Sequence, residues 1–341
     1  MTNATALRRT TVLLLACGWL SGSNCPGPDP QPQPPDAGRY HTYDEITREL
    51  HDLAAQYPAI AQVHSLGKSV EGRDLWALKI SAAVAREEGE PEIVLLGCHH
   101  AREWIAVEVP FLIGRHLLQN YTRDPQVTRL LDHATIWVTP MVNPDGHHYS
   151  VTSQRLWRKN RRNNNDGTFG VDLNRNYGHQ WGGPGSSGDT FSEVYRGPAP
   201  FSEPETRALR DFLQSRAVKA LISYHSFSQL VLYPWGYTHS PAPDSALLAQ
   251  LAVGIAERIR AVHGVRYTPQ QASDLYLVSG DTGDWLYAVR QVPALTLELR
   301  PAGSIPGFEL PEDQIQPTFE ENLPAALSIM EWAITADSPS Q

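Results

Sequence analysis

This sequence of 341 residues has only 3 cysteines, few long apolar runs and no excess of positive charge. Its 28 Lys and Arg residues are outnumbered by 37 Asp and Glu residues, and the formal net charge is -9. A nucleic-acid-binding surface needs a basic patch, so this balance argues against one. Beyond the first residues, no segment reaches the length of a transmembrane helix. With 41% hydrophobic residues and no visible repeat, the chain can bury one large core.

The first residues have the pattern of an export signal. Arg8 and Arg9 precede an apolar stretch at 12–16, and small residues follow. Residues 14–17 resemble a bacterial lipobox, in which Cys17 would carry a lipid anchor to the membrane. Ordinary cleavage near residues 21–23 is the alternative. We therefore expect an exported protein that is either secreted or held at the cell surface as a lipoprotein.

A proline-rich segment separates this signal from the rest of the chain. Between Cys25 and Gly38, proline removes the backbone donors that a helix or sheet needs and favours extended geometry. Because Cys98 alone lies beyond this segment, no disulfide is possible within the domain that follows. The predicted organisation is an export signal at 1–24, a linker at 25–38, a folded domain at 39–335 and a tail at 336–341.

The hydrophobic pattern beyond the linker predicts an α/β domain, in which strands and helices alternate. Apolar runs predict buried strands at 92–96, 135–139 and 294–299, and helical periodicity predicts helices at 44–56, 106–121, 204–216 and 245–263. Ser202 is expected to cap the helix at 204–216, with Glu205 three residues later. The stretch 157–202 is rich in Asn and Gly, and loops of this length in compact domains are usually functional.

A histidine and a carboxylate follow the predicted strand at 92–96. His100 and Glu103 would emerge at the carboxyl end of this strand, where open α/β sheets place their sites. Catalytic zinc commonly takes three protein ligands and leaves a position for water, so a third ligand must come from elsewhere. His225 also follows an apolar run and is the candidate. His99 stays an alternative to His100, because spacing alone does not decide between the two.

The segment 100–104, with the sequence His-Ala-Arg-Glu-Trp, resembles the His-x-Arg-Glu signature of zinc metallocarboxypeptidases of the carboxypeptidase A and B type. The resemblance implies that His100 and Glu103 are the zinc ligands. It extends from about residue 40 to 332 through further blocks in the same order, at 143–146, 157–161, 172–176, 225–229 and 296–299. Residues 267–276 most resemble bacterial carboxypeptidase T.

This resemblance implies the fold and the activity. The expected fold is a single α/β domain with a mixed, mostly parallel central sheet flanked by helices on both faces. The expected activity is that of a monomeric exopeptidase with one zinc ion per chain, which removes residues from the carboxyl termini of peptides or proteins. Two alternatives stay open: an amidohydrolase that trims cell-wall peptides, and an inactive surface module that binds peptides.

The resemblance also implies roles in catalysis. Glu298 matches the general base, which takes a proton from the attacking water and passes it to the leaving amine. The alternative is an exposed carboxylate at the end of a strand. Glu298 lies within the apolar run 292–299, where an unpaired charge would be costly, and this favours a specific role. Arg158 matches the arginine that stabilises the oxyanion. Asp172 is expected to hydrogen-bond a ligating histidine and fix its tautomer.

Further matches concern substrate binding. Asn174 and Arg175 match the pair that binds the terminal carboxylate, with Arg supplying a bidentate contact. Tyr276 matches the tyrosine that closes over the substrate. Arg102 is expected to be a further contact for the substrate in one of the subsites.

The sequence departs from the family at the specificity pocket. Gly283 stands where A-type members have an apolar residue and B-type members an acidic one, and Asp281 supplies a carboxylate to one side. We expect dual specificity, with hydrophobic and aromatic residues first and Lys or Arg second. Resemblance to carboxypeptidase T suggests structural calcium, but the loop 81–86 lacks acidic groups. Cis peptide bonds are expected at Arg300-Pro301, Ser226-Phe227 and Pro234-Trp235.

Overall fold

The computed structural model describes Met1, residues 39–86 and residues 89–336. Apart from Met1, the predicted export signal, the linker and the tail beyond Ala336 lie outside the described residues. No helix in the described part of the chain is both long enough and apolar enough to cross a membrane.

One mixed sheet forms the centre of the described domain. Its eight strands are β1 (Ala61–Lys68), β2 (Asp74–Ile80), β3 (Glu92–Gly97), β4 (Thr135–Thr139), β5 (Val218–Ser226), β6 (Leu230–Tyr233), β7 (Thr268–Gln271) and β8 (Ala294–Leu299). They lie in the order β1-β2-β4-β3-β5-β8-β6-β7. The central strands β4, β3, β5 and β8 run parallel, whereas β1 and β2 on one side and the β8–β6 pair on the other are antiparallel.

Eight helices cover both faces of the sheet in the described residues. They are α1 (Tyr43–Gln56), α2 (Ile105–Asn120), α3 (Pro125–His133), α4 (Pro144–Thr152), α5 (Pro204–Gln214), α6 (Ser245–His263), α7 (Thr282–Arg290) and α8 (Ile315–Ala336). The predicted fold class, a mixed and mostly parallel sheet between two helical layers, is confirmed.

Strand β3 shows why both faces are covered. All six of its residues are buried, as expected for a central parallel strand in a near-continuous apolar run. Successive side chains of a strand point to opposite faces. Ile93 and Leu95 accordingly join the apolar cluster that contains α2 and α8, whereas Val94 and Leu96 join the one that contains α5 and α7. The polar turn after β3 is therefore held at the carboxyl edge of a doubly covered sheet.

The predicted cap of α5 is wrong. The helix begins at Pro204, but its N-cap is Glu203, and no side chain caps it. Ser202 Oγ instead donates to Glu203 Oε1 at 2.7 Å. The carboxylate of Glu205 is turned into the protein, where it accepts from the backbone N–H of Val70 at 3.0 Å. A tertiary contact has thus replaced the local capping pattern.

The predicted cis peptide bonds are confirmed. Arg300-Pro301, Ser226-Phe227 and Pro234-Trp235 are all cis, and Ile305-Pro306 is cis as well.

A buried histidine joins the start of the domain to α1 and α2. His41 Nδ1 lies 2.7 Å from Glu108 Oε2, and His41 Nε2 lies 2.9 Å from Glu49 Oε1. Burial lowers the pKa of His41, but the contacts with Glu108 and Glu49 outweigh burial and raise this pKa to about 10. The charged imidazole therefore stabilises the fold fully below the unfolded-state pKa of 6.5, and the contribution is lost as pH rises through about 10.

We predict that replacing His41 by Gln lowers the free energy of unfolding more at neutral or lower pH than at high pH. The difference between wild type and variant should be on the order of 2 kcal/mol at low pH and should shrink as pH rises towards about 10. Denaturant unfolding across this pH range measures it. His133→Gln, at an exposed position, should show no such narrowing, and a constant His41 difference would contradict a charged pair.

Candidate active site

The site lies where three parallel strands end. His100 and Glu103 are in the turn between β3 and α2, His225 is near the end of β5, and Glu298 is near the end of β8. His225 and Glu298 are direct register partners across the β5–β8 ladder. Because neighbouring parallel strands end at the same edge of a sheet, the backbone alone brings these side chains together.

Three potential metal ligands converge at this edge. His100 Nδ1 lies 2.8 Å from Glu103 Oε1, His225 Nδ1 lies 3.0 Å from Glu103 Oε2, and the two Nδ1 atoms are 3.2 Å apart. All three residues are buried. Among residues 39–86 and 89–336, no other group of three or more His, Cys, Asp or Glu side chains could hold a metal ion together.

The spacing of these atoms fits zinc. Ligand atoms about 2.0–2.1 Å from a tetrahedral ion are separated from one another by about 3.3 Å. The two Nδ1 atoms, 3.2 Å apart, match two corners of such a site, and the carboxylate of Glu103, which lies beside both, can supply the third ligand. The structure groups His100 with the other two ligands, whereas both ring nitrogens of His99, the alternative, contact other side chains.

His99 is buried behind the ligand cluster. Its Nε2 lies 2.9 Å from Thr282 Oγ1 and 3.0 Å from Tyr177 Oη, and its Nδ1 lies 3.5 Å from Ser223 Oγ. Burial, together with the neighbouring His225 and His100, holds the pKa of His99 well below its usual range, so the ring is neutral. Sequence reasoning considered this residue only as a ligand and overlooked its hydrogen-bonded partners.

Asp172 connects a ligand to the predicted oxyanion group. Its Oδ1 lies 3.2 Å from His100 Nε2, and its Oδ2 accepts from Arg158 Nη2 at 2.7 Å. Burial raises the pKa of Asp172, but the charges of Arg158, His100 and Arg175 outweigh burial and hold this pKa well below the usual range. Asp172 is therefore an ionised group that fixes both His100 and Arg158.

Glu298 is buried beside the cluster. Burial first, and the nearby charge of Glu103 second, raise the pKa of Glu298 well above its ordinary value, against the opposing effect of Arg158 and Arg175. A carboxylate with a raised pKa is a better proton acceptor than an exposed one.

A cavity next to Glu298 contains most of the predicted substrate-binding residues. Its lining consists of His100, Asn174, Arg175, His225, Leu232, Ala272, Leu275, Tyr276, Val278, Asp281, Thr296 and Glu298. Asn174 Oδ1 accepts from the backbone N–H of Thr282 at 3.0 Å. Arg175 is buried, and its guanidinium donates to the carbonyl oxygens of Gly185 and Asn174. Tyr276 is 52% exposed, so it stands at the edge of the cavity.

The two carboxylate oxygens of Asp281 lie in different environments. Its Oδ1 accepts from the backbone N–H of Asp284 at 2.9 Å and caps α7, a role that sequence reasoning missed. Its Oδ2 is buried and has no hydrogen-bond partner among the described residues. Burial raises the pKa of Asp281. A Cβ atom at Gly283 would lie 3.3 Å from Asp281 Oδ1, a tighter contact than usual, so glycine avoids crowding this carboxylate. Gly283 itself is not among the residues that line the cavity.

Arg102 is separate from the cavity lining. Its guanidinium lies over the ring of Phe308, 4.3 Å from the ring centre, and Nη1 lies 3.5 Å from Glu193 Oε2. The ring of Phe227 contacts Phe308 at 4.9 Å between ring centres. Sequence reasoning did not identify Phe308 or Glu193, because neither belongs to a motif with a metal ligand.

The chain belongs to the zinc carboxypeptidase family, whose sequence model matches residues 46–325. It is therefore a metallocarboxypeptidase, a hydrolase of the exopeptidase class, and the family requires zinc.

Named relatives come from several branches of the family. Carboxypeptidase B of Astacus astacus is 39% identical over 289 residues, which cover 83% of this chain and 93% of that protein. Carboxypeptidase O of Bos taurus is 37% identical over 298 residues, which cover 86% and 78%. Carboxypeptidase A1 of Rattus norvegicus is 38% identical over 298 residues, which cover 86% and 70%. The particular likeness to carboxypeptidase T stays a prediction.

Solved structures share the fold. Thrombin-activatable fibrinolysis inhibitor superposes with a TM-score of 0.83 at 34% identity, over 87% of this chain and 75% of that chain. Its bovine counterpart, in complex with tick carboxypeptidase inhibitor, gives a TM-score of 0.81 at 33% identity, over 87% and 98%. A murein-tripeptide amidase from Escherichia coli gives 0.50 at 21% identity, over 84% and 97%, a likeness that concerns the fold alone.

We predict one zinc ion per chain, held by His100, Glu103 and His225. Elemental analysis of purified protein should give about one zinc per chain, and His225→Ala should reduce this value sharply, because two ligands form a much weaker site. His239→Ala, at a histidine that is 69% exposed in its side chain, should retain the metal. Folded, active protein without metal would refute the assignment.

Proposed function

We propose that this enzyme removes carboxyl-terminal residues from peptides and proteins by activating a water molecule, with Glu298 as the general base. The observation that carries the proposal is the pairing of Glu298 with His225 across adjacent parallel strands. This pairing sets a buried carboxylate next to the three convergent ligands.

The proposed catalytic roles follow from these positions. Zinc bound by His100, Glu103 and His225 would polarise the scissile carbonyl and lower the pKa of a bound water. Glu298 takes the proton of the attacking water and passes it to the leaving amine. Arg158, held by Asp172, donates hydrogen bonds to the oxyanion of the tetrahedral intermediate. Arg158 donates to Asp172 Oδ2 through both Nε, at 3.1 Å, and Nη2, at 2.7 Å. These two contacts fix the orientation of the guanidinium before substrate arrives.

Recognition of the free carboxylate falls to Asn174 and Arg175. Both line the cavity, and their side chains carry the donors that a carboxylate requires. Tyr276 covers the bound residue from the edge of the cavity, and Arg102 contacts the peptide further upstream, beside Phe308. An enzyme built in this way rejects substrates that lack a terminal carboxylate.

We predict that Glu298→Gln lowers kcat by roughly 10²–10⁴-fold, because it removes proton transfer while retaining shape. Chromatographic analysis of amino acids released from a peptide with a free carboxyl terminus measures this, and the amidated form of the same peptide should release none. Zinc content should be unchanged. Glu257→Gln, at an exposed position on α6, serves as the control. Wild-type turnover in the Glu298 variant would exclude it as the base.

The pocket supports dual specificity. Leu275 and Leu232 provide apolar walls for large hydrophobic residues. The unpartnered Oδ2 of Asp281 provides a buried acceptor for the charged end of Lys or Arg. Acidic residues would meet a like charge. Hydrophobic and aromatic residues are therefore preferred, followed by Lys and Arg.

We predict that Asp281→Asn lowers kcat/KM for carboxyl-terminal Arg by about 10- to 100-fold, the effect of losing a charged hydrogen bond. The kcat/KM for peptides that end in Phe or Leu should be nearly unchanged, and the kcat/KM for peptides that end in Glu should rise. Asn also caps helices well, so the start of α7 is preserved. Matched peptides that end in Phe, Leu, Arg or Glu make the comparison. An unchanged Arg value would show that Asp281 serves only as a cap.

The structural calcium suggested by the resemblance gains no support from the loop 81–86. Lys79 Nζ donates to the carbonyl oxygens of Val84 at 2.8 Å and Arg86 at 2.5 Å, so an ammonium group already satisfies these acceptors. Zinc is therefore the proposed metal. Export through the signal at 1–24, the linker at 25–38, the lipid anchor on Cys17, the domain limits 39–335 and the monomeric state stay predictions.

A further inference from the structure

A buried chain of side chains connects the proposed zinc ligand His225 to the proposed carboxylate-binding residue Asn174. Its centre is His99, which has no exposed surface and whose ring stacks on that of His225 at 5.5 Å and an angle of 19°. At one end, Ser223 Oγ lies 3.1 Å from His225 Nε2 and 3.5 Å from His99 Nδ1. At the other end, Thr282 Oγ1 lies between His99 and Asn174.

The contacts of Thr282 fix the orientation of Asn174. Its backbone N–H donates to Asn174 Oδ1 at 3.0 Å, and its hydroxyl lies 3.1 Å from the same oxygen. Because a backbone N–H can only donate, this atom is the amide oxygen. The amide nitrogen of Asn174, with its two donors, is then left for the cavity that Asn174 lines.

The hydrogens along this chain have one consistent direction. His225 Nδ1 faces the other ligands, so its Nε2 carries the hydrogen and donates to Ser223 Oγ. The Ser223 hydroxyl is then free to donate to His99 Nδ1. With Nδ1 as an acceptor, His99 carries its hydrogen on Nε2 and donates to Thr282 Oγ1 at 2.9 Å. The Thr282 hydroxyl in turn donates to Asn174 Oδ1.

An apolar residue at position 99 would break this order. It would leave the buried hydroxyls of Ser223 and Thr282 each without their histidine partner, and a buried polar group without a partner is costly. Simple core packing therefore does not account for an imidazole with partners at both nitrogens.

We infer that His99 is a positioning residue that holds His225 in its metal-binding tautomer and Asn174 in its carboxylate-binding orientation. The inference rests on the proposed roles of those two residues. Zinc binding and recognition of the terminal carboxylate would then both depend on one buried side chain that contacts neither the zinc ion nor the substrate.

The test uses two separate measurements on the full-length protein. The first is the zinc dissociation constant, obtained by competition with a chelator. The second is the acid preference of the zinc-loaded protein, defined as the ratio of the dissociation constants of N-acetylphenylalaninamide and N-acetylphenylalanine in calorimetry. Neither measurement requires turnover, and any direct contribution of zinc to acid binding is common to all variants.

We expect His99→Phe to weaken zinc binding by about 10-fold or more and to lower the acid preference by a similar factor. Ser223→Ala should affect zinc binding with little change in acid preference, and Thr282→Val should do the reverse. His99→Gln can place an amide N–H near the position of His99 Nε2, where it can donate to Thr282. This variant should therefore keep the wild-type acid preference but should bind zinc as weakly as His99→Phe. Tyr121→Phe, which removes an exposed hydroxyl that contacts Asp132 and lies outside this chain of side chains, should leave both unchanged.

A folded His99→Phe protein with wild-type values for both measurements would overturn the inference. Equal losses of both quantities in Ser223→Ala and Thr282→Val would do so as well, because they would indicate general loosening of the core. If His99→Phe does not fold, these two single-hydroxyl variants still decide the question. Failure of the proposed function is distinguishable, because His225→Ala would then bind zinc as tightly as wild type.

Discussion

The buried charge of Asp172 is the constraint on which the rest of the site depends. A carboxylate without exposed surface must be compensated inside the protein, and here the compensation comes from Arg158 and His100, with the backbone N–H of Asn174 as a further donor. Each of these partners has a proposed role in catalysis or binding. Neutralising one buried charge thus also orders the long loop at 157–202 against the end of β3.

The sequence was sufficient for features that depend on local pattern. Strands β4 and β8 and helix α6 have the predicted limits, because their apolar periodicity is uninterrupted. The convergence of His100 and His225 also followed from sequence, since both come after runs that only a doubly covered strand would contain. The family resemblance then separated His100 from its neighbour His99.

Features set by tertiary contacts could not be predicted. The cap of α5 was misplaced because Glu205 is used by Val70, far away in sequence. The ring nitrogens of His99 do not join the metal ligands. This residue follows Cys98, which has a φ of 56°, a conformation that no pattern around this non-glycine residue indicates. The role of Asp281 as the cap of α7 was not predicted either, because the cap depends on which way the carboxylate turns. In each case a side chain's direction, which spacing does not encode, decided the outcome.

The pairing of His225 with Glu298 in the β5–β8 ladder has an evolutionary consequence. If one strand slipped by one residue, each of its side chains would turn to the opposite face of the sheet. The backbone hydrogen bonds therefore keep the His225 and Glu298 side chains next to each other, and no intermediate arrangement is available. Some of the residues around the bound side chain, by contrast, come from loops and helix starts, such as Leu275 and Asp281. Substrate preference can therefore drift through loop substitutions while the chemistry stays fixed to the sheet, which lets one scaffold supply enzymes for many kinds of carboxyl terminus.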